Sequence, residues 1–124
     1  DKDYWWWRAI AHEAKGELNS AIIDYRQALE IEPRLLGIPF NLANVYERQG
    51  KFREALDLIE RIRAEDKGAR DLMVTAYQLA AKAGMLEKAR GTLSDWVADH
   101  PTDTDARKVL EDFDHARREG ASKP

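Results

Sequence analysis

Residues 41–60, NLANVYERQGKFREALDLIE, decide the fold. Leu42, Ala43 and Tyr46 recur at helical spacing, Gly50 breaks the run, and Phe52, Ala55, Leu56 and Ile59 begin a second amphipathic run. The unit is therefore a short helix, a tight turn and another short helix. The same punctuation stands 34 residues earlier as Gly16, Leu18, Ala21 and Tyr25, and 34 residues later as Gly84, Leu86, Ala89 and Leu93. Three copies at one period identify a repeat architecture. No segment alternates with period two, so the expected class is all-α.

Working outward, residues 3–15 read as the first helix, with Trp5, Ala9 and His12 on one face. Gly16 ends it, and Asn19 or Ser20 offers a cap to the second helix. That helix carries Ala21, Ile22, Tyr25, Ala28 and Leu29 inward until Pro33 stops it. Pro39 fits the first turn of the third helix, where a missing N–H costs nothing. The fourth, fifth and sixth helices are expected over residues 52–64, 69–83 and 86–99. Thr102 to Thr104 offer caps for a seventh over about 104–118, and 119–124 read as a frayed tail. One domain, 1–124, is expected, with repeats over about 2–35, 36–69 and 70–103.

The columns say how the units pack. Ala21, Ala55 and Ala89 are small, so each second helix can approach its own first helix closely. Leu18, Phe52 and Leu86 are apolar in every unit, and Tyr25, Ile59 and Leu93 fill the space between neighbours. One helix pair cannot bury its apolar face alone, whereas stacked pairs share a continuous core. Ala106, Val109, Leu110 and Phe113 make the seventh helix amphipathic, as an end cap requires, with Trp96 packed beneath it.

Composition narrows the function. Lys and Arg (20) are interleaved with Asp and Glu (23), for a formal net charge of -3. No basic stripe of the kind nucleic acid demands is present. Arg48, Lys51 and Arg53 are balanced by Glu47, Glu54 and Asp57, so they read as a solvated face. Cysteine is absent, which removes disulfides and thiolate chemistry. No apolar run reaches membrane-spanning length, so no membrane insertion is expected, and no signal-peptide pattern is present. The chain opens at Asp1 rather than Met, which leads us to expect a piece of a larger protein. The compartment is not legible.

Catalytic and metal motifs do not form. His12-Glu13 would need a second histidine where Gly16 stands. Asp103-Thr104-Asp105 opens like a calcium loop, but Lys108 occupies the place of the obligatory glycine, so helix capping is the better account. No phosphate-binding glycine loop occurs. Neither enzymatic activity nor a cofactor is expected.

The columns resemble the tetratricopeptide repeat, W-x2-L-G-x2-Y, A-x3-F and P over 34 residues. The first unit has Trp5, Arg8-Ala9, His12, Ala21, Tyr25 and Pro33. The second has Pro39, Leu42-Ala43, Tyr46, Ala55 and Ile59, with Lys67 in place of proline. The third has Met73, Ala76-Tyr77, Ala80, Ala89, Leu93 and Pro101. Tyr77 is bulky for its column, so the third pair is expected to splay. The resemblance implies an α-solenoid of three antiparallel helix pairs plus a C-terminal capping helix. It also implies a protein or peptide partner on the concave face lined by the first helix of each pair.

Carried over by position, that face presents Trp6, Ile10 and Glu13, then Phe40, Asn41, Asn44, Glu47 and Arg48, then Val74, Gln78 and Ala81. Trp6, Ile10 and Phe40 are expected to form an exposed apolar cluster. Some family members hold acidic chaperone tails in a carboxylate clamp. Only Asn41 matches that clamp; Trp6, Ile10, Asp71 and Thr75 occupy the other places, so no such binding is expected. Two alternatives stand beside partner binding: a spacer or assembly segment of a longer repeat protein, and a helical domain regulating an attached enzyme. The aromatics from Tyr4 to Trp7 are also where a missing neighbour or a second copy of the chain could pack.

Overall fold

The computed structural model describes residues 1–122. The described residues form seven α-helices: α1 (Lys2–Ala14), α2 (Leu18–Ile31), α3 (Gly37–Arg48), α4 (Phe52–Glu65), α5 (Arg70–Lys82), α6 (Leu86–Asp99) and α7 (Thr104–Ser122). No strand occurs among the described residues. Each helix packs on the ones before and after it in sequence, and the array is an all-α solenoid.

The turn within each pair has one solution used three times. Gly16, Gly50 and Gly84 take φ of 79°, 76° and 78°, the left-handed region in which a Cβ is strained. Each glycine N–H donates three residues back, to Glu13, Glu47 and Ala81 carbonyls. The next residue donates five back, from Glu17, Lys51 and Met85 to His12, Tyr46 and Ala80. This is the Schellman closure, which satisfies carbonyls that the helix end leaves free. It also corrects the expected cap of α2. The helix starts at Leu18 directly after the closure, without a side-chain cap. Asn19 is already helical, and its side-chain oxygen accepts from Gln49 Nε2 at 2.8 Å.

Burial follows the columns. Ala21, Ala55 and Ala89 are fully buried, as are Tyr25, Ile59 and Leu93 or nearly so. Ala28, Ile62 and Trp96 share one column and grow in size toward the C-terminus. Trp96 packs with Met73, Leu93 and Ala106, against which Val109, Leu110 and Phe113 of α7 close. Tyr77 is half-buried, and its ring meets Phe113 of α7 edge-on with the centroids 6.3 Å apart. Leu86 departs from its column. Leu18 and Phe52 are half-buried against the core, but Leu86 is 58% exposed. The Lys82 ammonium lies over the Phe52 ring, whereas Leu86 lines an open groove with Phe113, Ala116 and Gly120 of α7.

The expected frayed tail is also corrected. α7 continues as helix through 122, so 119–122 are helical; residues 123–124 lie outside the described residues. No glycine falls at 118, where the 34-residue period would turn the chain, and Gly120 is two positions late.

Candidate partner-binding face

The first helices of the three pairs carry parallel stripes at i, i+3, i+4 and i+7, the spacing that puts side chains on one helical face. We call the sides of α1, α3 and α5 that carry these stripes the shelf; the sequence-derived residues on them differ in exposure. Ile10 is 37% exposed and Phe40 is 40% exposed. Asn44 and Gln78 are exposed, whereas Asn41 and Val74 are half-buried. Neither the Asn41 nor the Asn44 amide makes a side-chain hydrogen bond with any described residue, so both keep donors and acceptors to offer.

Trp6 is the correction. It is half-buried and packs against the core instead of standing open beside Ile10. Its ring tip presses on Gly37 at the start of α3, where an added Cβ would sit 3.0 Å from Cη2 and Cζ2. The glycine is what admits the indole. Trp6 Nε1 is buried and has no hydrogen-bond partner among the described residues. Trp5, expected inward with Ala9, is only half-buried, edge-on to Tyr4 and beneath the Arg8 guanidinium. The open tryptophan is Trp7, 68% exposed and three residues before Ile10. The sequence reading places it only in the Tyr4–Trp7 run open to a missing neighbour or a second copy, although that spacing alone puts it on one stripe with Ile10.

A concavity of about 390 Å³ lies between α1 and α3. Ile10, Glu13, Ala14, Asn41 and Arg48 line it, and Tyr25 of α2 contributes to its lining. Tyr25 is fully buried, and its hydroxyl donates to Glu13 Oε1 at 2.7 Å. Burial, then the Glu13 carboxylate, push the phenol well above its ordinary range, so it stays a donor. Glu13 Oε2 in turn accepts from Arg48 Nη1 at 3.4 Å. One repeat further on, Glu47 Oε2 accepts from Lys82 Nζ at 2.9 Å. Both pairs join residues 35 positions apart. They form a ladder of charge pairs along the edge where the first helices end. Neither pair was read from the sequence, although the repeated 35-residue spacing was there to find.

A second polar group lies outside the shelf. Asp24, 4% exposed, places Oδ2 3.2 Å from Arg8 Nε and 3.5 Å from His12 Nε2, without accepting an aligned hydrogen bond. His12 Nδ1 lies 2.8 Å from Glu17 Oε2. These groups tie α1 to α2. At the other end, Asp103 accepts from Arg70 at 2.8 and 3.2 Å, from Trp96 Nε1 at 2.9 Å and from the Ala106 N–H at 3.1 Å. The Arg70 hydrogen bond first, then Trp96 and Ala106, hold its carboxyl far below the usual carboxylate range.

Among the described residues, no three His, Asp or Glu side chains are grouped to hold a metal ion. No described helix is long and apolar enough to cross a membrane.

Known proteins share this pattern. A family model described as tetratricopeptide repeat matches residues 48–112, and a second, described as TPR repeat, matches 11–50. Cellulose synthase operon protein C of Pseudomonas fluorescens (strain SBW25) is 33% identical over 81 residues, 65% of this chain. The chain spans only 6% of that relative's length. Among solved structures, the first TPR of Spaghetti (RPAP3), bound to HSP90 peptide SRMEEVD, superposes with a TM-score of 0.69 at 18% identity. That match covers 94% of this chain and 93% of the other. The Sgt2 TPR domain from Aspergillus fumigatus gives 0.69 at 20% identity, covering 99% and 85%. The model match across more than half the chain joins the threefold Gly turn and the stacked pairs to one conclusion: the chain belongs to the tetratricopeptide repeat family.

Proposed function

We propose that this domain is a non-enzymatic interaction module that holds a segment of a partner protein along the shelf formed by α1, α3 and α5. The observation that carries the reading is the combination on that shelf. Trp7, Ile10 and Phe40 expose apolar surface beside the uncommitted amides of Asn41 and Asn44. Exposed apolar side chains rimmed by polar groups are the usual composition of an interaction surface. Side-chain amides can pair with both the N–H and the C=O of a bound main chain. The similar RPAP3 domain is bound to an acidic HSP90 peptide. Here Asp71 and Thr75 replace the cationic clamp positions of the α5 stripe, so we do not extend that ligand to this chain.

The test is retention by the immobilised domain of defined peptides or of a purified partner. The double variant Ile10→Ser with Phe40→Ser should lose capture while its thermal midpoint stays near the wild type. Equal loss of capture and stability would make these residues packing, not binding, positions.

The match to a short part of a much longer relative favours a second reading: a segment of a long repeat array that spaces or assembles other components. In that case the same double variant, placed in the longer protein, should leave assembly intact.

A further inference from the structure

The charge distribution on the shelf selects a kind of occupant. Along the edge where the first helices end, the carboxylates are already matched: Glu13 by Arg48 and Glu47 by Lys82. The opposite edge is different. The first-turn column reads Asp3, Gly37, Asp71 and Asp105, each 34 residues from the last. Asp3 has Lys2 at 3.5 Å. Asp71 is exposed, and its carboxylate makes no ion pair or hydrogen bond with any described residue. Its neighbour Arg70 is turned away, forked onto Asp103, and feels Asp71 only as the weakest of its field contributions. Asp71 also opens the stripe that continues through Val74, Thr75 and Gln78, so it shares the face of the shelf.

We propose that the shelf takes an extended peptide segment with one large apolar side chain seated at Ile10 and Phe40 and a lysine or arginine lying at Asp71. This rests on the concave reading above and adds the sense of the charge, opposite to that of an acidic tail. Neighbouring packed helices lie about 10 Å apart. Asp71 on α5 is then one to two such spacings from the anchor on α3 and α1, so anchor and base are separated by roughly three to six extended residues at ~3.3 Å each. As a first-turn acid, Asp71 also suits the α5 dipole, a role indifferent to any peptide. Binding data separate the two roles.

The probes are short fluorescein-labelled peptides in a serine–alanine background. Each has one leucine and, about five residues along in either direction, lysine, serine or glutamate. With the wild-type domain, the lysine peptide should bind about threefold to fivefold tighter than the glutamate peptide by anisotropy, the scale of one exposed charge pair. The preference should vanish in Asp71→Asn, reverse in Asp71→Lys and fade near ~1 M salt. Ile10→Ser with Phe40→Ser should weaken all three peptides alike. If no peptide of any charge binds, the concave reading fails and this proposal with it. Suppose instead that binding is lost in Ile10→Ser with Phe40→Ser but is blind to lysine against glutamate, or is unmoved by Asp71→Asn. The concave reading then stands and the charge proposal is overturned. Concentration-dependent self-association, abolished by Ile10→Ser with Phe40→Ser, would assign the shelf to a second copy of the chain and would likewise overturn it.

Discussion

Trp96 and the run Trp5-Trp6-Trp7 put the same residue type at opposite ends of one solenoid, with different outcomes. Trp96 is 6% exposed, because α7 closes over it, Asp103 takes its N–H and His100 stacks on its ring at 3.7 Å. In the N-terminal run, Trp6 seats itself on Gly37, Trp5 is half-covered and Trp7 is 68% exposed. The difference shows that burial in a repeat array is decided by the column a residue occupies and by what the adjacent repeat offers there. An indole that meets a glycine is taken in. One turned a further 100° around the helix is left on the shelf.

Removing the cap should break this contrast most severely. A chain ending before Thr104 leaves Met73, Leu93 and Trp96 uncovered, and the third pair should lose its cooperative unfolding and aggregate. Size-exclusion chromatography and a red shift in tryptophan emission would report it; a soluble monomer with unshifted emission would contradict it. Next in size is Trp6→Ala. A fully buried aromatic truncated to alanine costs roughly 3–5 kcal/mol, so half-buried Trp6 should cost about 2 kcal/mol in denaturant unfolding. A negligible cost would mean that the Gly37 contact is not stabilising.

Asp103→Asn tests the polar lock at the C-terminal end. The folded-state pKa of Asp103 lies below the unfolded value of about 3.9, so its contribution is present above that value and lost as pH falls through the folded one. The variant should melt lower than wild type at pH 7, and the gap should close on acidification below about pH 4. A gap independent of pH would show that the carboxylate charge is not what stabilises the cap. The smallest effect is expected at the open end: Trp7→Ala should stay within about 0.5 kcal/mol of wild type, as surface substitutions do. A loss comparable to that of Trp6→Ala would erase the distinction between the two tryptophans.

Much of this was legible from local rules. Gly16, Gly50 and Gly84 mark turns because only glycine enters the left-handed region without strain, and Ala21, Ala55 and Ala89 mark close helix approach. Six of the seven helices end within a residue or two of where glycine, proline and period place their ends. The seventh is expected to end at about 118, ahead of Gly120, yet the helix runs through that glycine to 122. The cap of α2 was misassigned because Asn19 has the chemistry of a cap, but the Schellman closure leaves no room for one. On the shelf, Ile10, Phe40, Asn44 and Gln78 are exposed or nearly so, whereas Trp6 is not.

The sequence by itself determined the period, the helices, the turns and which columns face the core, because those depend on interactions within about one helical turn or on exact repetition. Tertiary structure decided which tryptophan is open, that Leu86 is left bare, that Glu13 meets Arg48 and Glu47 meets Lys82, and that the Asp71 carboxylate pairs with no described residue. Each of these depends on the offset between one repeat and the next. A shift of one residue around a helix, about 100°, exchanges a buried side chain for an exposed one, and only stacking in three dimensions fixes that shift.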